Sequence, residues 1–318
     1  MPVLHLTEAD VGRLVTIDLA LEAVAAAFRK LGCDEAENLP RRRCQTDQVV
    51  LHVLPAAAKT LGAIGFKAYT TSKQGARFHV TLFDSKTGAM TAILEADLLG
   101  QFRTGAASGI ATKKLARTDS SNVGCIGSGK QARTQILAVC KVRKIKQVKA
   151  YSPDPERCRK FAEAMSAEAG VEVVAASTAE EAVRGMDIVI TATNAREPVL
   201  KGEWLADGAH LNLVGSNFLT KAEADVEVFR RATLVTVDSK EQARLEAGDF
   251  VAAMNAGVLQ WSDVLEFAPV LVGRYPGRET PEAITVFKSL GLGIEDVALA
   301  VKLVELAKMQ GMGREILP

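Results

Sequence analysis

The sequence predicts an α/β fold in two parts, a doubly wound parallel sheet and a discontinuous α+β domain, and three observations carry that prediction. From Asn122 onward, short β-rich runs alternate with helical patterns, the signature of βαβ units in a parallel sheet. Before about residue 118 the β-rich runs have antiparallel character instead. The chain is 318 residues long, beyond the roughly 250–300 at which a single hydrophobic core stops growing. The expected division is residues 1–117, with about 300–318 returning to them, and residues 118–299.

In the second part the apolar runs are Val123 to Ile126, Val148 to Tyr151, Val171 to Ala175, Ile188 to Thr191, His210 to Val214 and Leu234 to Val237. Segments such as PERCRKFAEAMSAEAG and TAEEAVRGM separate them, with apolar residues at spacings of three and four. Six strands of this kind suit a doubly wound sheet. The first part opens with an amphipathic helix from Thr16 to Leu31, followed by strands around Val49 to Val53, Gly62 to Thr70 and His79 to Phe83. Asp84-Ser85-Lys86-Thr87-Gly88 reads as a hairpin turn. A small-residue helix from Gly105 to Ala116 crosses into the second part. The tail from Asp238 reads as mostly helical, with a β-like ITVFKSL and a final helix starting near Ile294.

Composition narrows the function by exclusion. Thirty-nine basic against thirty-eight acidic residues leave a net charge of +1, which gives no electrostatic reason to expect nucleic acid or an anionic membrane as partner. No stretch approaches the ~18 apolar residues of a membrane helix, and the start MPVLHLTEAD lacks the basic and apolar regions of a signal peptide, so the cytoplasm is the expected compartment. Five cysteines without a CxxC pair and four scattered histidines support neither a disulfide framework nor a metal site.

Chemistry enters at VGCIGSGKQARTQ. A strand ends at Gly127 and a helix begins near Lys130, so Gly127, Ser128, Gly129, Gln131 and Ala132 form a phosphate-binding turn at the positive end of a helix. A lone turn of this type can be structural. Here it follows a strand, opens a helix and heads five further strands, and a nicotinamide dinucleotide in a Rossmann domain is the expectation. Where an NAD-binding chain carries an acidic residue at the end of the second strand, this one has Ser152. With Arg157 and Arg159 following, NADP is favoured over NAD; a solvated helix face is the other reading of those arginines, and both cofactors stay open.

LHVLPA, GFKAYTTS, LGQFRTGAASGIATKKLAR, the glycine turn, TATN, GSN and ITVFKSLGLGIEDVA occur in this order over nearly the whole chain. As a set they resemble the ornithine cyclodeaminase and mu-crystallin family. The resemblance implies an N-terminal substrate and dimerisation domain, a Rossmann domain, and chemistry at the cleft between them in a homodimer. It implies cofactor contacts at Arg103, Thr104, Thr193, Val214, Gly215, Ser216 and Gly291 besides the turn and Ser152. It also implies a cationic clamp for an α-carboxylate at Arg42, Lys67 and Arg103, for which the guanidinium fork is suited. Arg42 is taken because it stands two after Pro40, although Arg41 and Arg43 adjoin it and the register is open to a slip of one. Lys67 sits in an otherwise apolar strand, where an unpaired charge would be unfavourable by several kcal/mol. His79 stands where the family's cyclodeaminases tend to carry a threonine facing substrate, and is taken as a substrate contact.

The departure is Asn217, in VGSNFLTKAEAD, where the cyclodeaminases carry an aspartate. An amide cannot serve as a general base. The expected activity is therefore NAD(P)H-dependent reduction of a cyclic or linear 2-imino acid to an L-amino acid, resembling a Δ1-pyrroline-2-carboxylate reductase, with Lys67, Arg103 and Asn217 in the catalytic group. Ornithine cyclodeamination, an alanine-type dehydrogenase and a non-catalytic NADP-dependent binding protein are the alternatives.

Overall fold

The computed structural model describes residues 2–316. Contacts divide the chain into two compact units: residues up to Ala107 together with those from Gly291 on, and Ser108–Leu290. The first boundary falls inside a helix, ten residues before the 117/118 division expected from sequence, and the second lies nine before 299/300.

The first unit begins with β1 (Val3–Leu6), α1 (Glu8–Leu14) and α2 (Ile17–Gly32), then β2 (Ala36–Asn38), β3 (Arg42–Gln45), β4 (Val49–Ala58) and β5 (Ala63–Ser72). After β6 (Gly75–Asp84) and β7 (Met90–Glu95) comes α3 (Asp97–Leu115). Thr16 caps α2 by accepting from Leu19 N–H, and Ile17, Ala20, Val24, Ala27 and Phe28 form its buried stripe. Asp84 closes the β6–β7 turn by accepting from the N–H groups of Lys86 and Thr87. The last 28 or so residues bring α11 and β16 back, to be placed below.

The expected start of α3 at Gly105 is eight residues late. Its first N–H groups, on Asp97 and Leu98, donate to the carboxylate of Glu8, and Glu8 N–H donates to Glu95. A cap supplied from so far along the chain leaves no local signal. As a result Arg103 and Thr104 lie inside α3, as the seventh and eighth residues of the helix.

The second unit runs β8 (Asn122–Ile126), α4 (Lys130–Val142), β9 (Gln147–Tyr151), α5 (Pro155–Ala169), β10 (Glu172–Ala175), α6 (Ala179–Val183), β11 (Ile188–Thr191) and β12 (His210–Leu213). It continues with α7 (Val226–Arg231), β13 (Leu234–Val237), α8 (Lys240–Glu246), α9 (Gly248–Asn255), β14 (Val264–Glu266), α10 (Phe267–Leu271) and β15 (Thr285–Lys288). Back in the first unit, α11 (Gly293–Met309) and β16 (Arg314–Ile316) complete the chain's described elements.

The sheet of the second unit has the order β10-β9-β8-β11-β12-β15-β13-β14, with every pairing parallel. Its strands read as unbroken apolar runs because helices cover both faces. ITVFKSL, read as the β-like segment of an otherwise helical tail, supplies β15, which enters between β12 and β13 and is buried at all four positions. The three-residue β14 was not expected, being too short to show a period. Strand order reverses at β8 and β11, the place where an open α/β sheet leaves a crevice at its carboxyl edge.

The first unit's sheet has the order β16-β1-β7-β6-β5-β4-β2, with β3 also on β4. It is antiparallel except for β1 against β7. Leu54, Lys67, Val80 and Leu94 stand in register on one face, and all four are buried. α11 packs against β4, β5 and β6 of the same sheet.

Candidate active site

The glycine turn lies at the carboxyl end of β8. Gly127 has φ +124, a region in which L side chains are strained, and an added Cβ would collide with the carbonyl of Ala192. Gly129 is the N-cap of α4 and offers no side-chain cap, so the first-turn N–H groups of α4 stay available to an anion. Ala132 is fully buried behind the turn. A cavity of about 690 Å³ opens here, lined by Gly127, Ser128, Gly129, Gln131, Ser152 and Thr193 among others. Arg157 lines it as well and Arg159 does not. A backbone cradle that a Cβ would fill, at the end of an uncapped helix, fits the pyrophosphate of a dinucleotide. Val214, Gly215 and Ser216 follow β12 and do not line this cavity; Asn217 comes next in the same loop.

In the first unit the cationic cluster is built on three elements. Lys67 on β5 is 3% exposed, and its Nζ lies 2.9 Å from Oδ1 of Asp296 on α11. Arg103 on α3 donates through Nε to the same oxygen at 3.1 Å and through Nη1 to Glu295 Oε2 at 2.7 Å. Both carboxylates are fully buried. Gly100, one turn before Arg103, makes room for the ammonium: a Cβ there would stand 2.7 Å from Lys67 Nζ. Burial lowers the Lys67 pKa to about 8, with Asp296 opposing the fall and Arg103 adding to it. Burial also works against the charge on Arg103, but Asp296 and Glu295 outweigh it and hold that group above its ordinary value.

Arg42, expected in the clamp, and His79, expected as a substrate contact, lie outside this cluster. Arg42 is exposed on β3, whereas Arg41 is 6% exposed and donates to the carbonyl of Gly291. The buried guanidinium is one residue earlier because Arg42 pairs with Val53 in the β3–β4 register while Arg41 precedes the strand. His79 pairs with Ala68, not with Lys67, so it lies on the opposite face of the sheet from Lys67 and is exposed. An odd offset in a period-two ladder changes the face. Thr104 turns its hydroxyl back to the carbonyl of Gly100 at 2.7 Å. Gly291, at φ +79, abuts the Arg103 guanidinium.

Residues that sequence reasoning missed share the face of Lys67. Tyr69 stacks on His52 at 4.1 Å between ring centroids and on Phe78 at 5.0 Å. The Lys67 ammonium stands 5.2 Å from the Phe78 centroid and 5.9 Å from that of Tyr69. Arg43 donates to His52 Nδ1 at 3.1 Å, and His52 Nε2 meets Thr71 Oγ1 at 3.1 Å. Burial, then Arg43 and Arg41, lowers the His52 pKa to about 4, so the imidazole is neutral at ordinary pH. The signal was the alternation along GFKAYTTS, which puts residues 67, 69 and 71 on one side. Glu295 and Asp296 stood in GLGIEDVA without any local sign of their partners.

A doubly wound sheet with this turn at its switch point, and a buried cluster of cations and carboxylates in the other unit, define an NAD(P)-dependent oxidoreductase that handles a small anionic substrate. The chain belongs to the ornithine cyclodeaminase/mu-crystallin family, whose model matches residues 3–310. It is 36% identical over 272 residues to a Δ1-pyrroline-2-carboxylate reductase of Bacillus cereus, covering 83% of each chain. The solved Thermococcus litoralis Δ1-pyrroline-2-carboxylate reductase in complex with NADH and L-proline superposes with a TM-score of 0.94 at 36% identity, covering 99% of this chain and 100% of that one. An archaeal alanine dehydrogenase dimer with bound NAD superposes with a TM-score of 0.93 at 35% identity, covering 100% and 99%. Among the described residues no helix is long and apolar enough to cross a membrane.

Proposed function

We propose that the chain reduces a 2-imino acid bearing one carboxylate to an L-amino acid, with Δ1-pyrroline-2-carboxylate as leading substrate and L-proline as product. The observation that carries this reading is the charge of the buried cluster. Arg41, Lys67 and Arg103 outnumber Glu295 and Asp296 and leave the cluster with an excess of positive charge, the sign that suits an α-carboxylate.

When bound, the reduced nicotinamide supplies the hydride. Everything else falls to side chains of the protein. Arg41 and Arg103 hold the carboxylate by charge-assisted hydrogen bonds. Lys67, protonated below about pH 8, orients the imino acid and holds a proton at Nζ. The aromatic row of Tyr69 and Phe78 stands beside the ammonium, apolar surroundings that favour a cyclic imino acid over pyruvate with ammonia. Cyclodeamination would need a base at the substrate amine; Asn217 cannot be one, and Glu295 and Asp296 are committed to Arg103 and Lys67. NADPH is the favoured reductant, because Ser152 is neutral where a carboxylate would repel a 2′-phosphate and Arg157 lines the same cavity.

The working form we propose is a homodimer. Val49, Leu51 and Ile64 are 37–46% exposed on the sheet face opposite Lys67, the face that also carries His79, and a second copy would cover them. The test is purified protein with NADPH or NADH and Δ1-pyrroline-2-carboxylate. The expected result is loss of nicotinamide absorbance with L-proline formed, whereas turnover of no imino acid with either cofactor refutes the reading. Ammonia release from ornithine, or NADH consumption with pyruvate and ammonia in place of the imino acid, would move the assignment to the corresponding alternative. Sedimentation as a monomer would remove the dimer.

A further inference from the structure

We propose that Glu223 is a positioning residue for the dinucleotide: its buried carboxylate ties the loop after β11 to the loop after β12 and so sets the shape of the cavity wall at Thr193. The inference rests on the reading that the second unit binds NADPH or NADH.

Glu223 is fully buried and does not line the cavity. Its Oε1 accepts from the N–H and the hydroxyl of Thr193, both at 2.7 Å. Its Oε2 accepts from Gly215 N–H at 2.6 Å and from the Thr191 hydroxyl at 2.9 Å. Two of these four donors are backbone N–H groups on separate loops, one for each oxygen. Only a carboxylate serves both, since a carboxamide presents one acceptor and turns its NH2 towards the other donor. Gly215 permits the approach, because a Cβ there would strike Thr193 and the Glu223 carboxylate.

The brace is itself anchored. Asp249 Oδ1 accepts from the N–H groups of Glu223, at 2.5 Å, and Ala224, at 3.2 Å. Its Oδ2 lies 2.7 Å from the fully buried Lys288 Nζ. Lys288 in turn donates to the carbonyl of Ser216 at 2.7 Å. The Gly215-Ser216 segment is thus held at both ends, Gly215 N–H by Glu223 and Ser216 C=O by Lys288. Residues 216–217 of that loop and Thr193 are all positions where the cofactor or substrate was expected, and none of the three bracing side chains was expected. Their burial around charged groups exceeds what a plain turn between strand and helix needs, since apolar side chains would serve that purpose.

The experiment is Glu223→Gln, with the dissociation constants of NADPH and NADH measured by nicotinamide fluorescence, and KM for the imino acid measured at saturating cofactor. Both cofactor constants should rise about tenfold or more, the loss expected when a buried donor is left without its acceptor. KM for the imino acid should stay within about twofold, a split that general destabilisation would not produce. Cofactor constants within about twofold of the parent overturn the proposal. Should the variant fail to fold, Thr191→Val decides: it removes one donor to Oε2 from a buried strand position outside the cavity, and should weaken both cofactors by about threefold or more. Unchanged affinity there overturns the proposal. Absence of cofactor binding by the parent protein would instead refute the reading on which the inference rests.

Discussion

Replacing Asp296 with asparagine separates charge from packing in the cationic cluster, because the two side chains have nearly the same shape. Asp296 Oδ1 is shared by Lys67 at 2.9 Å and Arg103 at 3.1 Å, with no exposure to solvent. Lys67 loses its proton near pH 8 in the parent, and Asp296 is the main influence holding that value up against burial. A hydrogen bond to a charged group contributes about 1.5–3 kcal/mol, which corresponds to roughly one to two pH units. Asp296→Asn should therefore lower the Lys67 value to between roughly 6 and 7. The cationic form is the one lost as pH rises, so the fall of kcat/KM for the imino acid on the alkaline side should begin one to two units earlier. Measuring kcat/KM from about pH 5 to 10 at saturating NADPH reads this directly. Breaking a buried pair should also lower stability by about 3–5 kcal/mol in denaturant unfolding. An alkaline limb that stays near pH 8 in the variant would refute the claim that Lys67 titration sets it.

Three further outcomes follow from placement. Arg41→Ala should raise KM for the imino acid by about tenfold or more, and Arg42→Ala should leave it within about twofold, as expected if only the buried guanidinium belongs to the clamp; the reverse result in steady-state kinetics would restore the sequence register. Gly127→Ala, which meets a positive φ and the Ala192 carbonyl together, should abolish NADPH and NADH binding by fluorescence titration. His79→Ala should leave kcat and KM within about twofold, because its side chain lies across the sheet from Lys67; a loss of tenfold or more would show that His79 reaches the substrate.

Six strands of the second unit, β8 to β13, were legible to within a residue or two because parallel strands buried on both faces are short apolar runs between helical periods. Lys67 was legible for the opposite reason, as a charge in an apolar run. The failures have physical causes. The start of α3 depends on Glu8, eighty-nine positions before Asp97. The choice between Arg41 and Arg42 depends on where β3 begins pairing, which adjacent arginines do not reveal. His79 was placed by resemblance to a facing residue, and strand parity put it on the other side. Glu223, Asp249 and Lys288 carry no local sign of one another in the sequence, since their partners come from loops and strands that meet only in the fold.

The return of α11 to the first unit has a consequence for the order in which the protein is made. Arg103 leaves the ribosome 193 residues before Asp296, and Lys67 leaves it 229 residues before. Until the whole Rossmann unit has been synthesised, the N-terminal sheet lacks both the helix that covers it and the carboxylates that neutralise its cations. Domains synthesised first generally fold first, but here the later unit can be complete while the earlier one still waits. A nascent chain stalled within α9 should therefore hold a protease-sensitive N-terminal half, and the unit that is begun first is completed last.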